Sequence, residues 1–310
     1  MNLLITGGCG FIGSNFINYY FFKNTSCTIT NIDALYYCAS EDNIIPSIKT
    51  SSRYKFIHAN LQHFEYSILE NITHVIHFAA QSHVQNSFDD SLNYTMDNVV
   101  GTHNLLEGCR KYKKNIVKII HVSTDEVYGE SKNNDLKYET SVLIPTNPYA
   151  ATKGAAELIA MSYKKSYNLP IIITRGNNVY GPNQYPEKLI PRFIQQLRTD
   201  QQVTIQGDGT ALRSFLHVND VCSAFEIILT KGEIGEIYNI GTHDEYTVMD
   251  VAIKLVKLIK HTDNFQSYVR FIEDRPFNDS RYFIDNTKLG VLGWNQQIQF
   301  DEGLKMLIKS

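Results

Sequence analysis

A surplus of charge of either sign is missing from this chain. Its 29 Lys and Arg stand against 32 Asp and Glu, a formal net charge of −3. That leaves no basic field for general nucleic-acid binding and no acidic tail. Long apolar runs are missing too. No uncharged stretch approaches the roughly 18 residues of a membrane span, and the opening MNLLITGG has neither the basic start nor the apolar centre of a secretory signal. Cysteine is sparse and unpaired: Cys9, Cys27, Cys38, Cys109 and Cys222 fall at irregular spacing without a CxxC. This reads as reduced thiols in a cytoplasmic protein, not as a disulfide framework. No metal site is expected either. His74 and His77 form an HxxH, but on a strand positions i and i+3 face opposite sides, and no cysteine is placed to complete a ligand set. Repeats and low-complexity segments are absent. What remains is a 310-residue chain, 43% hydrophobic and 20% charged, which excludes wholesale disorder and suits one large or two modest domains.

The first half alternates short Val/Ile/Leu-rich runs with helical stretches. The runs are Asn2–Thr6, Cys27–Asp33, Lys55–Asn60, His74–Ala80, Val117–Thr124 and Leu169–Arg175. Near-continuous apolar runs of this length predict strands buried on both faces. Ser14–Phe22, Met96–Lys111 and Ala150–Tyr167 carry helical periodicity. Strand–helix alternation predicts a doubly wound parallel sheet, whose ligands sit beyond the carboxyl ends of the strands. After Gly181 the character changes. Pro182, Pro186 and Pro191 punctuate a loop, a helix follows at Phe193–Arg198, and another lies near Thr247–Lys260. The expected division is 1–181 with 215–244 as a dinucleotide-binding domain. Segments 182–214 and 245–310 form a smaller α/β domain that holds a substrate.

Three motifs fall where such a sheet places chemistry. Gly8-Cys9-Gly10-Phe11-Ile12-Gly13 is a GxGxxG between the first strand and the first helix. There the backbone approaches a pyrophosphate and the helix N-terminus supplies N–H donors. Asp33 ends the second strand about 20 residues beyond the last glycine, where a carboxylate binds the adenosine ribose. It would repel a 2′-phosphate, so NAD is expected over NADP. Tyr149 and Lys153 form a YxxxK on a helix, one turn apart on one face. An ammonium beside the phenol, together with the nicotinamide, is expected to lower the tyrosine pKa so that it serves as a base. Ser123-Thr124-Asp125-Glu126 ends a buried strand. Two adjacent carboxylates beside a core are costly without a task, and neighbours on a strand point opposite ways.

These motifs, with HFAAQSHV from His77, NPYAATK from Asn147, YGPNQYPEKLIP from Tyr180, YNIG from Tyr238 and DRPFNDSRY from Asp274, make the chain resemble the extended short-chain dehydrogenases/reductases. Within them it is similar to the nucleoside-diphosphate-glucose 4,6-dehydratases. The resemblance spans nearly the whole chain, and the Thr-Asp-Glu triplet is its specific part. It implies a Rossmann-like fold, bound NAD, and a substrate that is dTDP-glucose or UDP-glucose. The implied reaction is oxidation at C4, loss of water across C5 and C6, and reduction at C6, giving the 4-keto-6-deoxy sugar on a path such as that to rhamnose. The alternatives are an NDP-hexose 4-epimerase, which would not need Asp125 and Glu126, and a non-catalytic NAD-binding regulator, which would not keep Tyr149 and Lys153.

By the same resemblance Tyr149 is the base at C4, tuned by Lys153 and oriented by Thr124. Glu126 takes the C5 proton, and Asp125, its pKa raised by burial beside Glu126, protonates the departing C6 hydroxyl. Gly7, Gly10, Phe11, Ile12, Gly13, Asp33, Asn60, Leu61, Ala79, Ala80, Tyr149 and Lys153 are expected on the cofactor. Ser82, Asn178, Glu187, Lys188, Leu189, Arg213, Asn239, Arg275 and Tyr282 are expected on the nucleotide sugar. A homodimer through the helices at 96–111 and 150–167 is also implied. Some positions depart from the family pattern: Asn60 stands for an Asp, Gln85 for another, and Gly176-Asn177 for the small residues usual near the nicotinamide.

Overall fold

The computed structural model describes residues 1–132, 135–273 and 279–309. Seven strands form the main sheet: β1 (Asn2–Thr6), β2 (Thr28–Asp33), β3 (Tyr54–His58), β4 (His74–His77), β5 (Lys118–Thr124), β6 (Ile171–Gly176) and β10 (Ile237–Ile240). Their order is β10-β6-β5-β4-β1-β2-β3, and every pair is parallel. The order reverses beside β1, between β2 and β4, which is the switch point where such sheets open a ligand crevice.

Each face of the sheet is closed by its own helices. Helix α1 (Phe11–Lys23) and helix α5 (Val218–Lys231) share a core with Leu3, Ile5, Ile76 and Ile120. Helices α2 (Gly101–Lys111) and α3 (Pro148–Tyr167) close the other face with Leu4, Val75, Ile119 and Ile171. Alternate strand residues thus serve opposite cores, the reason the strands read as continuous apolar runs. Helix α3 starts sharply because Pro148 needs no N–H partner at its first turn and Asn147 accepts the Ala150 N–H at 2.8 Å. It ends on Asn168 in the left-handed region at φ 53°.

The remaining strands lie outside this sheet. β7 (Asn178–Tyr180) pairs parallel and β11 (Glu245–Thr247) antiparallel with β9 (Leu212–His217), while β8 (Val203–Gln206) pairs with β12 (Val269–Ile272). They pack with α4 (Leu189–Arg198), α6 (Val248–Lys260) and α7 (Phe300–Lys309) around Phe193, Leu197, Phe215, Leu255 and Phe300. Thr247 and Asp250 close a reciprocal capping box on α6. No helix among the described residues is long and apolar enough to cross a membrane.

Candidate active site

Above the carboxyl ends of β1, β2 and β4 runs a cleft lined by Gly7, Gly10, Phe11, Ile12, Gly13, Asp33, Asn60, Leu61, Ala79, Ala80, Tyr149 and Lys153. Every residue expected on the cofactor is therefore brought to one cavity. The glycines are needed for shape. Gly7 sits at φ +71°, and a Cβ there would lie 2.5 Å from the Ala79 nitrogen; one on Gly13 would lie 2.3 Å from the Gly7 carbonyl. Gly10 caps α1 with no side-chain hydrogen bond of its own, so the first-turn N–H groups keep their anion-binding capacity. Asp33 accepts the N–H groups of Cys9 and Leu35, both at 2.8 Å, and still lines the cleft. A bare helix N-terminus, glycines that admit close backbone approach and a carboxylate at the ribose position fit a nicotinamide dinucleotide.

The catalytic candidates stand at the end of β5. Thr124 caps a 3-10 turn, Asp125–Tyr128, so the two carboxylates are not strand neighbours as expected. The turn still separates them. Asp125 is buried and accepts Asn177 Nδ2 at 2.7 Å and the Thr124 hydroxyl at 3.2 Å. Glu126 lines a second cavity and accepts Asn147 Nδ2 at 2.9 Å. Burial, then the neighbouring Glu126 charge, pushes the Asp125 carboxyl up to about 7. Glu126 is pushed up as well, chiefly by burial. A carboxyl that holds its proton near neutrality can act as an acid.

Tyr149 is buried close to both carboxylates. Burial, reinforced by the Glu126 charge, pushes its phenol up, while a hydrogen bond with Thr124 works the other way. The Lys153 ammonium donates to the Val122 carbonyl at 2.6 Å, and burial lowers it to about 8. Desolvation outweighs any lowering within the protein itself. Both side chains line the dinucleotide cleft nonetheless.

The second cavity gathers Ser82, Glu126, Asn178, Glu187, Lys188, Leu189, Arg213 and Tyr282, and it shares Ser82, Glu187 and Lys188 with the first. Its cations are set by the backbone: Lys188 donates to the Ser82 carbonyl at 2.9 Å, and Arg213 to those of Leu212 and Asp279 at 2.7 and 2.8 Å. Asn239 is a correction. It is fully buried on β10 and lines neither cavity. Its Oδ1 accepts the Tyr128 hydroxyl at 2.8 Å, which in turn accepts from Arg175. That network continues to Glu157 and lies beneath the site. Arg275 lies outside the described residues.

Several residues here were not singled out from sequence. Asn147 caps α3 with its oxygen and holds Glu126 with its nitrogen. Asn177, noted only as a departure, holds Asp125 and accepts the Thr242 N–H. Asn98 sits in a π-helical turn, Thr95–Val100, and joins Gln81 to Thr152 on α3. Arg192 also lines the second cavity. The available signals were that Asn147 opens the quoted NPYAATK motif and that Asn177 stands among the departures from the family pattern.

A parallel sheet that presents a glycine-lined dinucleotide cleft, with a helical YxxxK opening into it, defines an extended short-chain dehydrogenase/reductase. The family model described as GDP-mannose 4,6 dehydratase matches residues 4–307. A trifunctional UDP-glucose 4,6-dehydratase/UDP-4-keto-6-deoxy-D-glucose 3,5-epimerase/UDP-4-keto-L-rhamnose-reductase of Arabidopsis thaliana is 47% identical over 98% of this chain and 46% of its own length. The dTDP-D-glucose 4,6-dehydratase of Mus musculus is 44% identical over 99% of this chain and 87% of its own. The crystal structure of a dTDP-glucose 4,6-dehydratase from Streptomyces venezuelae with NAD bound superposes with a TM-score of 0.93 at 34% identity, covering 100% of this chain and 96% of that one. The chain belongs to the nucleoside-diphosphate-glucose 4,6-dehydratase family. It spans about half the length of the plant relatives it matches.

Proposed function

We propose that this chain is an NAD-dependent hydro-lyase that converts a pyrimidine-nucleotide glucose, UDP-glucose or dTDP-glucose, to the 4-keto-6-deoxy sugar and water. The observation that carries the reading is the pair of unequal carboxylates after β5. Asp125 is proton-bearing near neutrality and Glu126 opens into the substrate cavity, within a site whose Tyr149 faces the dinucleotide cleft. A 4-epimerase has no step for that pair.

The dinucleotide supplies reversible two-electron oxidation, first at C4 and then in the opposite sense at C6. Tyr149, with Thr124 close to its phenol, takes the C4 hydroxyl proton. The resulting ketone acidifies C5, and Glu126, held by Asn147, removes that proton and returns one to C5 when C6 is reduced. Asp125, held by Asn177, gives its proton to the departing C6 hydroxyl. Arg213 and Lys188 place positive charge on the cavity wall for a diphosphate, which suits a guanidinium fork. In this reading segments 1–181 with 215–244 serve chiefly the dinucleotide and 182–214 with 245–310 chiefly the nucleotide sugar, with Ser82, Glu126 and Asn178 reaching the sugar cavity from the first.

The decisive experiment incubates the purified protein, with NAD supplied, with UDP-glucose and with dTDP-glucose. A 4-keto-6-deoxy product, seen by its absorbance in strong base, is expected from at least one. No conversion of either would refute the reading. The ratio of kcat/KM values then assigns the base, because one methyl group discriminates by only about 1–3 kcal/mol.

We also propose a homodimer. The segments expected to pair, 96–111 and 150–167, carry apolar side chains into solvent, with Leu158 at 61% exposure and Met96, Val100 and Met161 also exposed; Leu92, in the short helix just before the first segment, is 78% exposed. An unpaired surface of this kind marks an interface. Sedimentation as a monomer of 35.4 kDa would refute it.

A further inference from the structure

Between β2 and the next helical turn the chain passes Asp33-Ala34-Leu35-Tyr36-Tyr37-Cys38-Ala39-Ser40. This loop is pinned at both ends. Leu35 takes the left-handed conformation at φ 53°, which is unfavourable for a branched side chain, and its N–H is held by Asp33 at 2.8 Å. At the far end the Ser40 N–H donates to the Cys9 carbonyl of the glycine loop at 3.0 Å.

Its two central tyrosines engage different partners. Tyr36 lines the dinucleotide cleft, donates its hydroxyl to Asp97 Oδ1 at 3.0 Å and accepts Asn60 Nδ2 at 2.8 Å. Asp97 lines the same cleft from the π-helical turn and is fixed there by Gln62 at 2.8 Å and Gln81 at 3.0 Å. The loop after β2 and the turn after β4 flank β1, so the Tyr36–Asp97 bond ties the two sides of the crevice together. Tyr37 instead donates to Glu187, 3.0 Å from both carboxylate oxygens, and packs edge-on against Tyr185 at 5.3 Å. Glu187 lines both the dinucleotide cleft and the nucleotide-sugar cavity.

We propose that the Tyr36–Tyr37 loop is a strap that retains the dinucleotide and couples its retention to occupancy of the nucleotide-sugar cavity. The inference rests on the dehydratase reading for its purpose. Electrons taken from C4 return to C6 of the same sugar, so a dinucleotide that leaves between the two steps strands the cycle. The Tyr36–Asp97 anchor slows that departure. Tyr37 carries the state of the sugar site to the same loop through Glu187.

The test measures release of NADH from preloaded wild-type, Tyr36→Phe, Asp97→Asn and Tyr37→Phe proteins. Fluorescence is followed after dilution into excess NAD, with and without UDP or dTDP in the sugar site. Removing a charge-assisted hydrogen bond predicts release about tenfold faster for Tyr36→Phe. Asp97→Asn, which weakens the same bond from the other side, moves the same way and reads the bond should the tyrosine variant fail to fold. Wild type should release more slowly with the nucleoside diphosphate bound, and Tyr37→Phe should lose that dependence. Release from Tyr36→Phe and Asp97→Asn indistinguishable from wild type overturns the strap. A wild-type protein that retains dinucleotide yet converts no nucleotide sugar overturns the dehydratase reading instead, and the release rates still judge the strap.

Discussion

Asp125 makes a prediction that does not depend on the reaction. Its carboxyl is buried, and the rise from 3.8 to about 7 is caused first by loss of water and second by Glu126. A folded-state pKa above the unfolded one means the folded protein binds the extra proton, so stability falls as pH rises between the two values. Asparagine has the same shape and no charge to bury. Its amide oxygen accepts from Asn177 and its amide nitrogen donates to Thr124, so both native partners are kept. At about 1.36 kcal/mol per tenfold change in proton affinity, Asp125→Asn should exceed wild type by about 4 kcal/mol at pH 8. The gain should shrink to about 2 kcal/mol at pH 5 and vanish below the unfolded carboxylate range. Titrating groups away from the site are common to both proteins and cancel in the difference, whereas Glu126, coupled to Asp125, adds to it. Urea unfolding at pH 5 and pH 8, read by the shift in midpoint at constant slope, measures it. A variant that is less stable than wild type at pH 8, or a difference that does not grow with pH, would show that the site does not hold its proton by burial. The same variant should be devoid of dehydratase activity, since a stable site and a functional one make opposite demands of this carboxyl.

The other expectations are more direct. Glu126→Gln should lower turnover by roughly 10²- to 10⁴-fold and abolish uptake of solvent deuterium at C5 of the sugar; normal uptake would remove Glu126 as the base. Arg175 forks onto Glu157 through Nη2 at 2.6 Å and Nε at 3.1 Å, both side chains being almost fully buried. Arg175→Met strands the Glu157 carboxylate and should cost about 3–5 kcal/mol in urea unfolding, while the double change with Glu157→Leu recovers most of the loss. Asp33→Asn removes the charge that a 2′-phosphate would meet, so the ratio of NADP to NAD affinity, measured by titration, should rise by on the order of tenfold.

Local sequence patterns set the sheet and the cleft. Apolar runs buried on both faces, the GxGxxG at the first strand–helix turn and Asp33 at the end of the second strand are local patterns, set by strand alternation and by backbone approach to phosphate. The fold reproduces them, and all the residues read as cofactor-binding meet in one cavity. The Thr-Asp-Glu triplet and the YxxxK were legible for the same reason. Tertiary packing decided the rest. Asn239 follows a motif that resembles a phosphate contact, yet β10 lies at the edge of the main sheet and turns that amide into the Tyr128–Arg175–Glu157 network. Asn147 opens the NPYAATK motif and Asn177, 30 residues on, stands only among the departures, yet each supplies the donor for one carboxylate. The Lys153 ammonium, one turn from Tyr149, also donates to the Val122 carbonyl, a partner that the YxxxK spacing does not name. Spacing along a chain fixes which side chains share a face, but hydrogen-bond partners and dielectric surroundings belong to elements that meet only when the chain has folded.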